Sequence, residues 1–432
     1  MSQTNSANTF SPVSLAIGML SGITVKFAGT VYIGEILSIS YLVLTVRLNP
    51  SPQKLIPKYL IWFVALWAIA QLFSDILNNS TIPDTLKGVG APIVFLLSML
   101  GLLSFFIRKS NRYPSFLIGL ALGILLDLVA LNPTQYFLTS NQWKWGYGNA
   151  ITSIVIVLTS FFFSKQSQNK FSLTTLSLLI ILAAIGISND SRGSLGFIII
   201  YGVYILCNCY PLNLGIERLR YDTSKGVPIL MGVILSFLIL INFSLGILYT
   251  QTPIASLLSP ATYEKTVRQA KSSLGLLAGG RSEFFASSQA FLDKPLLGHG
   301  SWAQDPTGFY NSLRLQRAYD FGEDIDTEIQ AGNIFRQEFV LIPAHSFLMG
   351  NLVWSGVFGG LIWFYVLYAL ADIFIRFHSS LNFYFFNGLS ALTWSIFFNP
   401  FSYTTRFSTA VFLASLFAFV AFSSSRSGLV RR

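Results

Sequence analysis

The chain has 432 residues, of which 53% are hydrophobic and 11% are charged, and its mean hydropathy is +0.59. A soluble globular protein carries about 25% charged residues, so this composition excludes a soluble enzyme, a disordered chain and a fibrous protein. It predicts a single polytopic unit surrounded by membrane lipids. A net charge of +10 is compatible with a nucleic-acid partner, but the distribution of the basic residues indicates a different origin.

Long apolar runs predict the fold class. A membrane-spanning helix needs about 20 mostly apolar residues, because the hydrocarbon layer is roughly 30 Å thick. The runs are continuous rather than alternating, which favours helices over a barrel. Eleven spans also fit, since the first two runs are short, and the run after residue 344 is long enough to tilt or to break. We predict an all-α polytopic membrane protein with about twelve spans at residues 12–27, 30–46, 58–77, 88–107, 113–131, 145–164, 171–189, 194–210, 228–248, 344–371, 381–398 and 406–424.

The Lys and Arg residues predict the orientation of these spans. With a cytoplasmic N-terminus, the cytoplasmic segments hold fifteen basic and three acidic residues, whereas the short outer segments hold five basic residues. Basic residues concentrate in cytoplasmic loops of membrane proteins. Both termini are therefore predicted to be cytoplasmic. The positive net charge is then an orientation signal, and no nucleic-acid partner is expected.

One long polar segment separates the predicted spans nine and ten. Residues 250–343 carry 18 charged side chains among 94 residues, about twice the density of the rest, and helical patterns occur at 261–277 and 281–292. The predicted organisation is therefore nine spans in 1–249, a partly helical outer loop or cap in 250–343 and three spans in 344–432.

Three basic side chains are predicted at the outer face. Arg192 lies in a polar break after the seventh span, Arg281 follows two glycines before a helical pattern, and His345 opens the tenth span. A guanidinium group can grip phosphate with two hydrogen bonds, and histidine suits general-base catalysis because imidazole titrates near neutral pH. The plainer interpretations are an arginine that reaches the lipid headgroups, a surface arginine in a turn and an interfacial histidine without chemistry.

Acidic residues in the outer halves of spans predict a polar cavity at the same face. A carboxylate within a membrane is costly and generally faces a cavity or a charged partner. Such a cavity would admit a charged lipid headgroup from the outer leaflet. Of the remaining histidines, His299 is predicted to be structural, and His378 lies on the cytoplasmic side. The residues predicted to support the site are Asp190, Ser191, Ser346, Glu35, Asp75, Asp127 and Arg406.

Three motifs resemble those of the O-antigen ligase and O-antigen polymerase superfamily. His345 and Ser346, followed after nine residues by Gly-x-x-Gly at 356–359, resemble its H-[NSQ]-x9-G-x-x-G signature. Ser-Arg-Gly-Ser at 191–194 resembles its S-R-G segment. Gly-Arg at 280–281, followed by Pro-Leu-Leu-Gly-His-Gly at 295–300, resembles its G-R and P-L-L-G-x-G stretch in a large periplasmic loop.

The resemblance implies a membrane glycosyltransferase with a GT-C-type helical fold in the bacterial inner membrane and a periplasmic active site. The implied donor is a glycan on undecaprenyl diphosphate. Arg192 and Arg281 match the arginines that hold the diphosphate in this family, and His345 matches the histidine proposed to activate the acceptor hydroxyl. The family acts without a divalent metal, a nucleotide sugar or another cofactor.

Several functions remain open at this point. A ligase passes the finished glycan to lipid A–core in lipopolysaccharide biosynthesis, whereas a polymerase joins repeat units of O-antigen or exopolysaccharide into a growing glycan. A protein O-glycosyltransferase is a third alternative. A transporter of the same lipid-linked glycan explains many spans and a polar cavity, but it does not explain the 94-residue outer segment or a histidine far from the midplane, where transporters bind their substrates.

Overall fold

The structure is a computed structural model that describes most of the chain. The described residues form helices joined by short connections and one two-stranded hairpin. They are residues 10–26, 29–45, 55–108, 112–133, 142–143, 147–163, 173–189, 194–209, 226–230, 260–271, 281–320 and 341–427, with a few single residues between 232 and 251.

Fourteen helices are described here, numbered in chain order. Short π-helical turns extend the fifth helix over Asp127–Leu131 and the sixth over Thr159–Phe163, and a 3-10 turn follows the twelfth. The helices are α1 Pro12–Ser21, α2 Ile33–Thr45, α3 Lys58–Leu77, α4 Ile82–Phe106, α5 Arg112–Leu126, α6 Gly148–Leu158, α7 Leu173–Ser188, α8 Ser194–Cys209, α9 Pro260–Lys271, α10 Glu283–Asp293, α11 Phe309–Asp320, α12 Phe347–Phe377, α13 Phe383–Phe398 and α14 Tyr403–Ser427.

Five of the described helices are long and apolar enough to cross a membrane, which supports an all-α membrane protein. They lie within α3, α4, α5 with its π-helical turn, α12 and α14. Six shorter apolar helices accompany them. The total of twelve spans stays a prediction, because most of the predicted span 228–248 lies outside the described residues.

The first two predicted spans have a different local structure from the one expected. The helices α1 and α2 have 10 and 13 residues, which correspond to lengths of about 15 and 20 Å. Between them, strands β1 (Thr24–Lys26) and β2 (Thr30–Tyr32) pair antiparallel, with Val25 opposite Val31. Each helix alone is shorter than the roughly 30 Å hydrocarbon layer.

An aromatic cluster forms the centre of the helix bundle, where α3, α4, α12 and the start of α14 meet. The rings of Phe347 and Trp363 lie 4.8 Å apart, and Phe401 packs against both at 5.1 and 5.2 Å. Trp363 and Phe347 are almost fully buried. Because Phe347 begins α12, this cluster also anchors the residues directly before that helix.

The long helix α12 is broken at Gly356, as the length of the run after residue 344 had allowed. Gly356 has φ 65° and ψ −163°, a conformation that is essentially restricted to glycine. Polar side chains stabilise the interrupted backbone: the Ser355 hydroxyl donates to the Asn351 carbonyl at 3.0 Å, and the Asn351 amide donates to the Gly359 carbonyl at 3.4 Å. Such bonds are needed wherever a helix within a membrane protein loses its regular pairing.

Glycines allow α1 and α5 to cross at short distance. Gly18 in α1, Gly22 directly after it, and Gly119 and Gly123 in α5 face the partner's backbone. A Cβ atom at Gly119 would overlap the carbonyl oxygen of Leu15. Both helices thus carry the G-x-x-x-G spacing that brings apolar helices together. This spacing was readable from the sequence and predicts the contact.

We expect the substitution Gly119→Ala to destabilise the protein by about 1–3 kcal/mol, because overpacking forces the two backbones apart. Gly202→Ala in α8 is the matched control, since nothing lies within 4 Å of a Cβ at that position. The control should be neutral or stabilising by up to about 1 kcal/mol, as alanine favours helix over glycine. Thermal unfolding in detergent measures both, and equal midpoints would contradict the close crossing.

Candidate functional site

His345 lies at the start of α12 with its imidazole accessible. The side chain of His345 is 56% exposed, and its Nδ1 atom lies 4.0 Å from Oε1 of Glu283. The next residue, Ser346, is buried and caps the helix by accepting a hydrogen bond from the Met349 amide at 2.8 Å. Ser346 therefore fixes the backbone from which His345 projects, which is a structural rather than a chemical contribution.

Arg281 reaches the same region from the residues before α10. Its guanidinium carbon lies 5.6 Å from the ring centre of Phe398 at the end of α13, within the range of a cation–π contact. The structure shows no ion pair between Arg281 and another described residue.

Two backbone amides at the start of α10 have partners within the chain. The amides of Phe284 and Phe285 already donate to the carbonyl oxygens of Arg281 and Ser282, at 3.1 and 3.3 Å. A helix start can bind an anion through its backbone amides, and these two amides at the start of α10 are therefore already engaged.

Glu283 is a residue of the site that the sequence reasoning missed. It lies in the first turn of α10, two residues after Arg281, and its side chain is 23% exposed. The available signal was an acidic residue directly behind the Gly-Arg pair at the start of a predicted helix. Only the packing of α10 against α12 brings it to His345.

The Pro-Leu-Leu-Gly-His-Gly segment at 295–300 docks on the break in α12. The amides of His299 and Gly300 donate to the carbonyl oxygens of Val353 and Trp354 at 2.7 and 3.0 Å, and the Val357 amide donates to the Pro295 carbonyl at 2.8 Å. These bonds replace helical bonds that the break removes. The segment that follows the end of α10 and the Gly-x-x-Gly of α12 therefore form one contact.

Asp75 holds the same segment to α3. One carboxylate oxygen accepts from the Ser301 amide at 2.5 Å and from the Ser80 hydroxyl at 3.0 Å, and the other accepts from the Ser301 hydroxyl at 2.8 Å. Gln71 donates to the Ser301 hydroxyl at 2.8 Å. Asp75 is buried, and its oxygens are occupied by these partners, so it supports the site by fixing the backbone after α10.

His299 has the structural environment that was expected for it. Its Nε2 atom lies 2.7 Å from the Ala290 carbonyl oxygen, an acceptor, so Nε2 carries the proton. Burial lowers the pKa of His299, and Lys294 acts in the same direction, whereas the bond to Ala290 opposes them. Nearby, burial and the hydrogen bond that its hydroxyl donates to Asp293 raise the pKa of Tyr310. These groups tie the end of α10 to α11.

Asp127 and Glu35 both have partners inside the bundle. Asp127 accepts hydrogen bonds from the Thr24 hydroxyl and the Asn132 amide side chain, each at 2.7 Å. Glu35 accepts two bonds from Arg406, at 2.7 and 2.8 Å. Of the predicted supporting residues, Glu35, Arg406 and Asp127 therefore stabilise contacts between elements, with no contact to His345.

We expect Glu35→Ala or Arg406→Ala to destabilise the protein by about 3–5 kcal/mol, because either change leaves a buried charge without its partner. The side chains of Glu35 and Arg406 are only 2% and 13% exposed. The double variant Glu35→Leu with Arg406→Leu should lose less than either single change, since it leaves no unpaired charge.

The matched control for this ion pair is Asp372→Ala, which removes a pair between Asp372 and Arg376 on the surface of α12. The distance is similar, 2.8 Å, but Arg376 is 53% exposed. Exposed pairs contribute about 0–1 kcal/mol. Thermal unfolding in one detergent compares the variants, and equal losses for Glu35→Ala and Asp372→Ala would contradict a special role of the buried pair.

The remaining predicted site residues fall on another part of the chain. Asp190, Ser191 and Arg192 lie outside the described residues, between α7 and α8.

Comparisons of the chain with protein-family models, with curated proteins and with solved structures find no match. The function is therefore inferred from the residues of the site.

Proposed function

We propose that the protein is a membrane glycosyltransferase that transfers a glycan from undecaprenyl diphosphate to an acceptor hydroxyl, in O-antigen or other surface-polysaccharide assembly. The transfer takes place on the periplasmic side of the bacterial inner membrane. One observation carries the proposal: an exposed imidazole, His345, lies 4.0 Å from Glu283, and Arg281, an arginine without an ion pair to another described residue, stands two residues before that glutamate in a protein of apolar helices.

The chemistry of the transfer requires these two groups. The acceptor hydroxyl gives its proton to Nε2 of His345 as its oxygen attacks the anomeric carbon of the glycan. The bond between that carbon and the diphosphate oxygen breaks, and undecaprenyl diphosphate leaves with the electron pair. A single displacement of this kind inverts the anomeric centre. The free energy of the transfer comes from cleavage of the bond between the glycan and the lipid diphosphate, so the reaction needs no ATP on the periplasmic side.

Arg281 supports the leaving group. Negative charge grows on the diphosphate as the bond breaks, and a fixed cation in a site with little water stabilises that charge strongly. The ring of Phe398, whose centre lies 5.6 Å from the guanidinium carbon, gives the cation a weak attractive contact. Arg192 is proposed as the second diphosphate ligand on the strength of its motif alone.

The ligase reaction, with lipid A–core as acceptor, is proposed first, and polymerisation of repeat units is the alternative. Both use the same donor and the same two side chains. Purified protein in detergent, given undecaprenyl-diphosphate-linked glycan and either lipid A–core or a second lipid-linked repeat unit, distinguishes them on gels. A longer lipid A–core product identifies a ligase, and a ladder of lipid-linked glycans identifies a polymerase. Donor that stays intact with both acceptors overturns the proposed function.

A further inference from the structure

Glu283 lies beside the imidazole of His345 but takes no part in the proposed proton transfer. Its Oε1 atom lies 4.0 Å from Nδ1 of His345, the imidazole nitrogen that the proposed proton transfer leaves idle. Within the described part of the chain, His345 is the basic group found within 4.0 Å of this carboxylate. Arg281, two residues away, lies against Phe398 instead.

The two side chains differ in how firmly they are held. Glu283 begins α10, whose Ala286 and Ala290 are fully buried, and Ala290 packs in a cluster with Val353 of α12. The carboxylate is 23% exposed, whereas the imidazole is 56% exposed. His345 therefore has few contacts that restrict its ring, and the carboxylate is the fixed member of the pair.

We propose that Glu283 is a positioning residue that orients the imidazole of His345, an inference that rests on the proposed transferase function. A carboxylate beside Nδ1 accepts a hydrogen bond from the Nδ1–H group. This bond favours the tautomer in which Nε2 is unprotonated. Nε2 is then free to take the acceptor proton. The separation of 4.0 Å exceeds a hydrogen bond, and bonds of catalytic groups commonly shorten to that range only when substrate is bound.

Among the residues that the structure describes, the charged groups near His345 leave this assignment to Glu283. Helix α10 and the residue pair before it contribute Arg281 and Glu283. Helix α13, which packs on α12, has no charged residue over Phe383–Phe398. On α3, Asp75 is engaged by Ser301 and Ser80.

The tautomer of His345 tests the pairing without any need for activity. The chain has three histidines, so nitrogen NMR of protein labelled at histidine gives three pairs of ring-nitrogen signals, one pair for each imidazole. Single substitutions at His299 and His378 assign these pairs. At a pH where the imidazole is neutral, we expect the Nδ1–H tautomer at His345 in the wild type. Glu283→Ala should shift it toward the Nε2–H form, and Glu264→Ala, an exposed glutamate of α9, should not.

Transfer kinetics supply the second readout. We expect Glu283→Ala to lower kcat by roughly 10-fold or more, less than the loss on removing a general base, with the KM for the lipid-linked donor unchanged. Glu283→Gln keeps an acceptor oxygen and should retain the Nδ1–H tautomer and an intermediate kcat. An unchanged His345 tautomer in Glu283→Ala overturns this inference alone, whereas the absence of transfer by the wild-type protein overturns the proposed function.

Discussion

Replacing His345 by alanine should lower the rate of glycan transfer by about 10²- to 10⁴-fold, the contribution typical of a general base. Without the imidazole, the acceptor hydroxyl must attack while it still holds its proton. The structure predicts little cost in stability, because the side chain of His345 is 56% exposed and the helix cap is formed by Ser346. The amount of protein in the membrane and its unfolding temperature should therefore stay close to the wild-type values.

The matched control is His378→Ala at the opposite end of α12. His378 lies in the 3-10 turn that follows the helix, and its Nδ1 atom is 3.2 Å from the Ile375 carbonyl oxygen. Its removal should leave transfer unchanged. Glycan ladders on gels from cells that express each variant, with initial rates from purified protein, measure the difference. Wild-type ladders from the His345→Ala strain would refute the assignment of His345 as the base.

Replacing Arg281 by alanine should lower kcat by about 10²- to 10³-fold, the loss seen when one group that stabilises developing charge is removed. The loss should appear mainly in kcat, because charge on the diphosphate is larger in the transition state than in the bound donor. Arg281→Lys should recover only part of the rate, since lysine keeps the charge but lacks the planar fork that binds phosphate with two bonds.

Arg317→Ala is the control for Arg281→Ala, because the environments are alike. Arg317 also belongs to the segment between α9 and α12 and lies 5.4 Å from a phenylalanine ring centre, that of Phe285. It differs in having an ion pair with Asp320 at 3.3 Å. Loss of Arg317 should leave kcat unchanged. If both variants lost activity equally, the effect would come from the stability of this segment and not from the diphosphate.

The elements that local composition specifies were the most predictable. The patterns at 261–277 and 281–292 predicted two helices in the outer segment, and helices occupy Pro260–Lys271 and Glu283–Asp293. The helix from Lys58 to Leu77 has the predicted bounds. Such elements depend on runs of apolar or helix-forming residues, which are visible along the chain. The hairpin between α1 and α2 was missed, because two strands of three residues leave too short a pattern.

The candidate site was predictable in its parts but not in its arrangement. Motif spacing singled out Arg281 and His345, and the structure places Glu283, two residues after Arg281, beside His345. The sequence had singled out the glycines at 356 and 359 as members of one motif, with no distinction between them. Gly356 adopts a positive φ and accommodates the segment around Leu296, whereas Gly359 lies against Trp67 of α3. The spacing of a motif identifies small residues along the chain, but it does not show which neighbouring residue packs against each of them.

By itself, the amino-acid sequence determined the membrane character of this protein, because few charges and long apolar runs leave helices as the way to pair the backbone away from water. The tertiary structure alone decided which polar groups meet. Glu35 finds Arg406 across 371 positions of the chain, and Asp75 finds Ser301 across 226. Burying a carboxylate is tolerable only when packing supplies its partners. The same packing brings Glu283 to His345, which makes a carboxylate without a motif part of the proposed site.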